Sequence, residues 1–320
     1  MANVNTHNQI FPFRLRQVTE QAARASFSWI GRGQKEKGDE AAVEAMWQAL
    51  KGLKLEGTVI IGEGEKDQAS KLYKGEHFGE ESDGETFDIA VDPVEGTTFL
   101  AKGLTNAMAA VAIAPRYTIL DPGPAFYMEK FAGPPELRGR IDMEWTVEKK
   151  LNTAAALLEK EMNALTVFVL DKPRHRNLVE SIYEAGARVA LYPAGDIAGA
   201  LMAATPDTEI DLLLGTGGVP EGIISACAIR AMGGEFLGRL DPQLPTEIVR
   251  LREAGMDTSH WYDRDELIRS DEVHFCATGI TSGLLFEGIE KSRHFLTSQT
   301  LIINGSNQER LMLTNWHRIT

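Results

Sequence analysis

Cysteine is nearly absent, with Cys227 and Cys276 the two in 320 residues. A disulfide framework is therefore excluded, and their apolar neighbours predict two small buried side chains in a reducing cytoplasm. Long apolar runs are missing as well. The longest, Ala107 to Ala114, falls far short of the ~18 residues a spanning helix needs, so no membrane partner is expected. Arg14 and Arg16 near the start are followed by no apolar stretch, and no secretory signal is expected. Positive charge is in short supply, 33 Lys and Arg against 46 Asp and Glu, a net of −13. Such a field repels phosphate backbones and argues against nucleic acid as a partner. An acidic chain acting on a phosphate ligand would need metal. Several catalytic signatures are also lacking: Walker A, G-x-G-x-x-G, H-E-x-x-H and G-x-S-x-G do not occur, and the seven histidines show no metal-ligand spacing.

The composition that remains, 43% apolar and 25% charged, is that of a folded globular chain. Its length suits one large domain or two packed subdomains. Leu15, Val18, Ala22, Ala25 and Trp29 recur at helical spacing until Gly31 and Gly33 interrupt them. A second helix is expected to open at Asp39, with Val43, Met46, Trp47 and Leu50 on its apolar face, and to end at Gly52. Strands are expected at Thr58 to Ile61, at Asp88 to Asp92 ending before Pro93, and at Ala107 to Ala114 ending before Pro115. A subdomain boundary is expected where Gly, Pro and charge accumulate around 133–150. That gives an N-terminal subdomain, 1–150, and a C-terminal α/β subdomain, 151–320. In the second half strands alternate with helices: strands Thr166 to Leu170, Arg188 to Tyr192, Ile210 to Leu214 and Val273 to Ala277, and helices from about Thr153, Asn177, Pro220 and Pro245. The tail, Leu296 to Trp316, reads as short strands around Asn304-Gly305. The fold class is α/β.

Carboxylates recur where strands or loops end, and loop ends are where sites are built. In Asp88 to Thr98 a strand delivers Asp92, a proline turns the chain, and Glu95-Gly96-Thr97-Thr98 follows. Two carboxylates three residues apart in a turn can converge on a hard cation, and Gly96 admits a phosphate to the backbone N–H groups. The same residues equally describe a strand-to-helix turn with Asp and Thr as caps. Glu63 and Glu65 in Gly62 to Glu65 read as ligands or as a solvated turn. Asp39 reads as a ligand or a helix N-cap, and Glu221 as a ligand or a first-turn acid. Lys172-Pro173-Arg174-His175, directly after a strand, suits a phosphate grip or a solvated turn. Tyr127 suits a hydrogen bond to a sugar phosphate or packing.

In this order along one chain, these residues resemble the class II fructose-1,6-bisphosphatases of bacteria and, more loosely, the lithium-sensitive, Mg²⁺-dependent phosphatase superfamily that includes inositol monophosphatases. The resemblance runs over Ile30 to Gly33 with Lys35 and Asp39, Ile61 to Glu65, Val91 to Thr97, Tyr127 to Lys130, Lys172 to His175, Gly217 to Gly222, and Ala277 to Thr281. It implies a layered sugar-phosphatase fold and metal-dependent hydrolysis of the 1-phosphate of fructose 1,6-bisphosphate. The rivals are sedoheptulose bisphosphate or dual specificity, an inositol-phosphatase-like enzyme, and a non-catalytic sugar-phosphate sensor. The implied metal ligands are Asp39, Glu63, Asp92, Glu95 and Glu221, holding Mg²⁺ or Mn²⁺. Thr97 is the implied catalytic threonine, with Glu63 positioning the water and Asp39 orienting Thr97. Implied substrate positions are Lys35, Gly96, Thr97, Tyr127, Lys172, Arg174, His175, Gly195 and Asp196. The expected partners are a small sugar bisphosphate and further copies of the chain in a homo-oligomer. Two positions depart from the pattern: Gln34, where an acid is frequent, and Ala194, where Pro-Asp-Gly-Asp has become Pro193-Ala194-Gly195-Asp196.

Overall fold

The structure, a computed structural model, describes residues 6–65, 69–79 and 85–319. The chain forms two compact units, 1–119 with 270–320, and 120–269. Neither junction coincides with the boundary expected near 150. The reason lies in strand pairing, because the C-terminal strands complete the sheet that the N-terminal strands begin.

The first unit contains α1 (Thr6–Ser26), α2 (Lys35–Leu53), β1 (Glu56–Ile61), β2 (His77–Phe78), β3 (Thr86–Glu95), α3 (Thr97–Lys102) and β4 (Met108–Pro115). The second contains β5 (Tyr127–Gly133), α4 (Val147–Leu157), β6 (Thr166–Leu170), α5 (Arg176–Glu184), β7 (Arg188–Tyr192), α6 (Asp196–Ala203), β8 (Leu212–Gly218), α7 (Val219–Met232), β9 (Glu235–Leu240), α8 (Pro245–Glu253), β10 (Tyr262–Asp263) and α9 (Arg264–Leu267). The chain then returns to the first unit with β11 (His274–Gly279), β12 (Glu290–Lys291), β13 (Phe295–Asn304) and β14 (Glu309–Arg318).

In the first unit the sheet order is β12-β13-β11-β4-β3-β1-β2, with β14 on the outer side of β13. Within this sheet only β1 and β3 pair in parallel among the described strands. The near-continuous apolar run of β4 is buried along almost its whole length, as a central strand requires. Leu15, Val18 and Ala22 of α1 are fully buried, as their spacing predicts, and α1 packs on β11 and β13. Helix α2 begins at Lys35, four residues before the expected start, so Asp39 lies inside the helix and is not its N-cap, which is Gln34. Its buried stripe is Ala42, Met46, Ala49, Leu50 and Leu53, with Val43 and Trp47 at the margin. The helix runs one residue past Gly52, to Leu53.

Strand β3 does not stop before Pro93. It continues to Glu95, and its register against β4 shifts between Asp92 and Glu95. A bulge accommodates the proline, which has no N–H to give the ladder. The tail strands β13 and β14 are ten residues each, longer than expected, because they pair over their whole length.

The second unit has sheet order β10-β9-β5-β8-β6-β7. Strands β7 and β8 both lie parallel to β6, one on each side, and β5 is antiparallel to β8 and β9. Both faces are covered. Val167, Val169, Leu212 and Leu214 pack into a core with Leu151, Ala154 and Ile182 of α4 and α5. The alternate face lies under α6 and α7. Strand β8 starts two residues later than expected and extends through Gly218, because β5 supplies partners for Gly215 to Gly218.

Candidate active-site residues

In the first unit β1 and β3 point the same way, with Ile61 opposite Ala90, so the segments after both strands leave the same edge of the sheet. Glu63 follows β1, and its N–H bonds Leu72 O at 2.9 Å. The bulge in β3 has a direct consequence for the acids it carries. Three residues apart on a regular strand, Asp92 and Glu95 would point to opposite faces. Their partners on β4, Ala110 and Met108, are two apart, so the extra residue turns both carboxylates to one face. Their oxygens approach within 4.8 Å of each other. Asp92 Oδ1 also accepts the N–H of Val94 at 3.1 Å.

Gly96 caps α3 at φ +80°, and a Cβ there would lie 2.6 Å from the Phe99 ring, so only glycine fits. Thr97 is consequently the first residue of α3 and is partly buried. The Ile30 to Gly33 segment holds the other end of this helix, with Gly31 N–H on Leu100 O at 2.9 Å and Gly33 N–H on Ala101 O at 2.8 Å. Burial raises the Asp39 carboxyl. Lys35, one turn earlier, opposes the rise, while Glu40 and Glu36 add to it. Burial, and after it the charge of Asp39, pushes Glu63 up to about 7.

The second unit has its own convergence. The chain passes from β6 to β7 on one side and then to β8 on the other, making a topological switch point, where open α/β sheets bind ligands beyond the strands' carboxyl ends. Lys172 and Arg174 follow β6, Gly195 and Asp196 follow β7, and Glu221 lies in the first turn of α7 after β8. Tyr127 joins them by antiparallel pairing opposite Gly218. The Arg174 guanidinium lies 5.3 Å from the centre of the Tyr127 ring and gives Thr216 O two bonds, from Nε at 3.1 Å and Nη2 at 2.7 Å.

His175 does not stand with the substrate groups. It is buried, its Nδ1 lies 2.7 Å from Leu170 O, and its Nε2 accepts the N–H of Thr216 at 2.8 Å. Both ring nitrogens are thus engaged with backbone. Burial, the largest cause, depresses its pKa and keeps the ring neutral, so it struts β6 against β8.

Two residues to which the sequence assigned no role stand out. Lys130 is buried at 2% exposure, and its ammonium bonds Asp196 Oδ2 at 2.5 Å. Its signal was a lysine at an inward position, between Met128 and Ala132 in strand alternation. Glu247 is fully buried and accepts three backbone N–H groups, Phe126 at 2.6 Å, Tyr127 at 2.9 Å and Gln243 at 3.0 Å. No local pattern marks that role.

The chemistry of these donors fits a divalent cation. Glu63 and Asp39 are raised by burial and near charge, and Asp92 and Glu95 share a face. Burial raises Glu221 too, with Asp196 adding and Lys130 opposing, and its Oε2 is a buried atom with no hydrogen-bond partner among the described residues. A hard cation suits such a set of oxygen donors.

The family model described as bacterial fructose-1,6-bisphosphatase, glpX-encoded, matches residues 10–317. The chain belongs to this family. Its bisphosphatase relatives include the class 2 fructose-1,6-bisphosphatase of Haemophilus influenzae, 38% identical over 314 residues that cover 94% of each chain. Fructose-1,6-bisphosphatase 1 class 2 of Escherichia coli strain K12 is 40% identical over 305 residues, 91% of this chain and 90% of that one. Among solved structures, extragenic suppressor protein suhB of Bartonella henselae aligns with a TM-score of 0.35 at 14% identity, covering 61% of this chain and 75% of that one.

Proposed function

We propose that this member of the bisphosphatase family hydrolyses the 1-phosphate of fructose 1,6-bisphosphate, releasing fructose 6-phosphate and inorganic phosphate. The observation that carries the reading is the β3 bulge, which turns Asp92 and Glu95 to one face immediately before Gly96 and Thr97. Asp39, Glu63, Asp92, Glu95 and Glu221 are the proposed ligands of Mg²⁺ or Mn²⁺. Bound there, such an ion would neutralise phosphoryl oxygens and make water more acidic.

The remaining work falls to the chain's own groups. Glu63 orients the attacking water through a carboxylate oxygen. The Thr97 hydroxyl donates to Asp39, which orients it, and its oxygen accepts a hydrogen bond from the attacking water. Lys172 and Arg174 grip the remote phosphate, so its binding energy is used for orientation. Tyr127 and Asp196 address the sugar. Ala194 supports a broader range, because a side chain without a carboxylate gives sugar hydroxyls no acceptor there and leaves room for sedoheptulose bisphosphate. A cytoplasmic, homo-oligomeric enzyme belongs to the same reading, and both cysteines are buried.

The test is phosphate release from fructose bisphosphate, sedoheptulose bisphosphate and an inositol phosphate, with Mg²⁺, with Mn²⁺ and with chelator. Release from a sugar bisphosphate that chelator abolishes is expected. Full activity in chelator overturns the metal assignment, and binding without release would make the protein a sensor.

A further inference from the structure

Lys130 differs from the other cations around the switch point of the second unit. Arg174 is exposed and Lys172 partly so, whereas the Lys130 side chain is 2% exposed. Lysine is almost never fully buried unless paired. Its stem lies on the inward side of β5, and Gly222 of α7 leaves the room it occupies, since a Cβ there would come within 2.9 Å of Cε. Gly217 does the same at the far end. A Cβ on it would lie 3.0 Å from Nζ and would collide with Asp196 Oδ2.

A cavity of about 10 Å³ beside the pair, walled in part by Phe168, Leu170 and Leu213, has room for one water at most. Solvent therefore does not loosen the 2.5 Å bond from Nζ to Asp196 Oδ2. Asp196 itself stands at the first residue of α6, a helix buried throughout, so its main chain is fixed as well. Buried on β5 and bonded to Asp196, Lys130 is not a group that reaches out to grip phosphate. Its influence on a ligand passes through the carboxylate it holds.

We propose that Lys130 is a positioning residue for sugar recognition. It occupies Oδ2 of Asp196, so that Oδ1 is presented as one fixed acceptor for a sugar hydroxyl. This rests on the functional reading above, in which Asp196 faces the sugar. A free carboxylate would rotate and share itself among several partners. One held by a buried ammonium recognises a hydroxyl in one place.

The experiment compares Lys130→Met, Asp196→Asn and the double variant with the wild type. It measures kcat and KM for fructose 1,6-bisphosphate, the Mg²⁺ concentration for half activation, and the melting temperature. Each single change is expected to raise KM about tenfold, the order of one hydrogen bond, with kcat held within about threefold. The double variant is expected to match Asp196→Asn alone, because the two residues act as one unit. Lys130→Met should melt lower, as its buried carboxylate has lost its counter-charge, and the double variant should recover.

An unchanged KM in Lys130→Met overturns the proposal. So does a double variant with the two losses multiplied, or a shift confined to the Mg²⁺ requirement, which would place the effect on Glu221. If Lys130→Met does not fold, the double variant against Asp196→Asn decides in the same way. A wild type that releases no phosphate from sugar bisphosphates sinks the functional reading. An active wild type with an indifferent Lys130→Met sinks this inference alone.

Discussion

Glu247 offers a direct way to ask whether the second unit's ligand edge is held from behind. Oε1 accepts Phe126 N–H at 2.6 Å and Tyr127 N–H at 2.9 Å, and Oε2 accepts Gln243 N–H at 3.0 Å. The residue is fully buried on α8, so water cannot replace these bonds. In Glu247→Gln, the amide oxygen can keep the bonds from Phe126 and Tyr127, but the NH₂ group then faces the N–H of Gln243, donor against donor. One charge-assisted bond is lost and the remaining two become neutral, a destabilisation of about 2 kcal/mol. For a unit of this size that is a melting temperature lower by roughly 4 to 8 °C. Glu247→Ala, which orphans three donors, should cost about twice as much. Thermal denaturation reads the first effect. The second readout is KM for the bisphosphate, which should rise because Tyr127 is one of the residues held. A Glu247→Gln protein that melts within about 1 °C of wild type would refute the reasoning.

His274 is buried neutral at the start of β11, an inner strand of the first unit's sheet, and burial depresses its pKa to about 4. Its folded pKa lies below its unfolded one, so the stability it protects is complete above about 6.5 and is lost as pH falls toward 4. That shift is worth about 3 kcal/mol, and His274→Gln should flatten this part of a denaturation-against-pH curve; an unaltered acid limb would refute the assignment. Thr97→Ala should lower kcat by ~10²- to 10⁴-fold with little change in KM, and a near-normal kcat would reduce Thr97 to a helix residue. Ala194→Asp should raise the fructose-to-sedoheptulose ratio of kcat/KM by an amount on the order of 1 kcal/mol, leaving metal dependence unchanged; an unchanged ratio would put Ala194 outside sugar selection.

Local chemistry decided what could be read from sequence. The parallel strands Thr166 to Leu170 and Arg188 to Tyr192 have the expected bounds, because short β-branched and apolar runs between turn residues have few alternatives. Proline in Asp92-Pro93 looked like a strand end. A bulge removed the need for its N–H, and bulges depend on the partner strand, which sequence does not name. Asp39 looked like a helix start because apolar periodicity begins there, although the polar turn Lys35 to Gly38 was already helical. His175 resembled its neighbour Arg174 as a ligand, and only the position of Leu170 and Thr216 shows that its ring is engaged. Lys130 and Glu247 depend on contacts 66 and about 120 residues away along the chain, beyond any local pattern.

The return of the last strands to the first unit sets an order of events at the ribosome. Strand β4 pairs with β3 on one side and with β11 on the other, and the whole second unit is translated between β4 and β11. Until β11 emerges, β4 is an apolar strand with an open hydrogen-bonding edge, a template for wrong partners. The second unit, continuous in sequence, has no such wait. Nascent chains should therefore acquire a protease-resistant second unit first, with the first unit closing only after β11 emerges. An early stop codon before β11 would leave the first unit's sheet without the strand that closes β4.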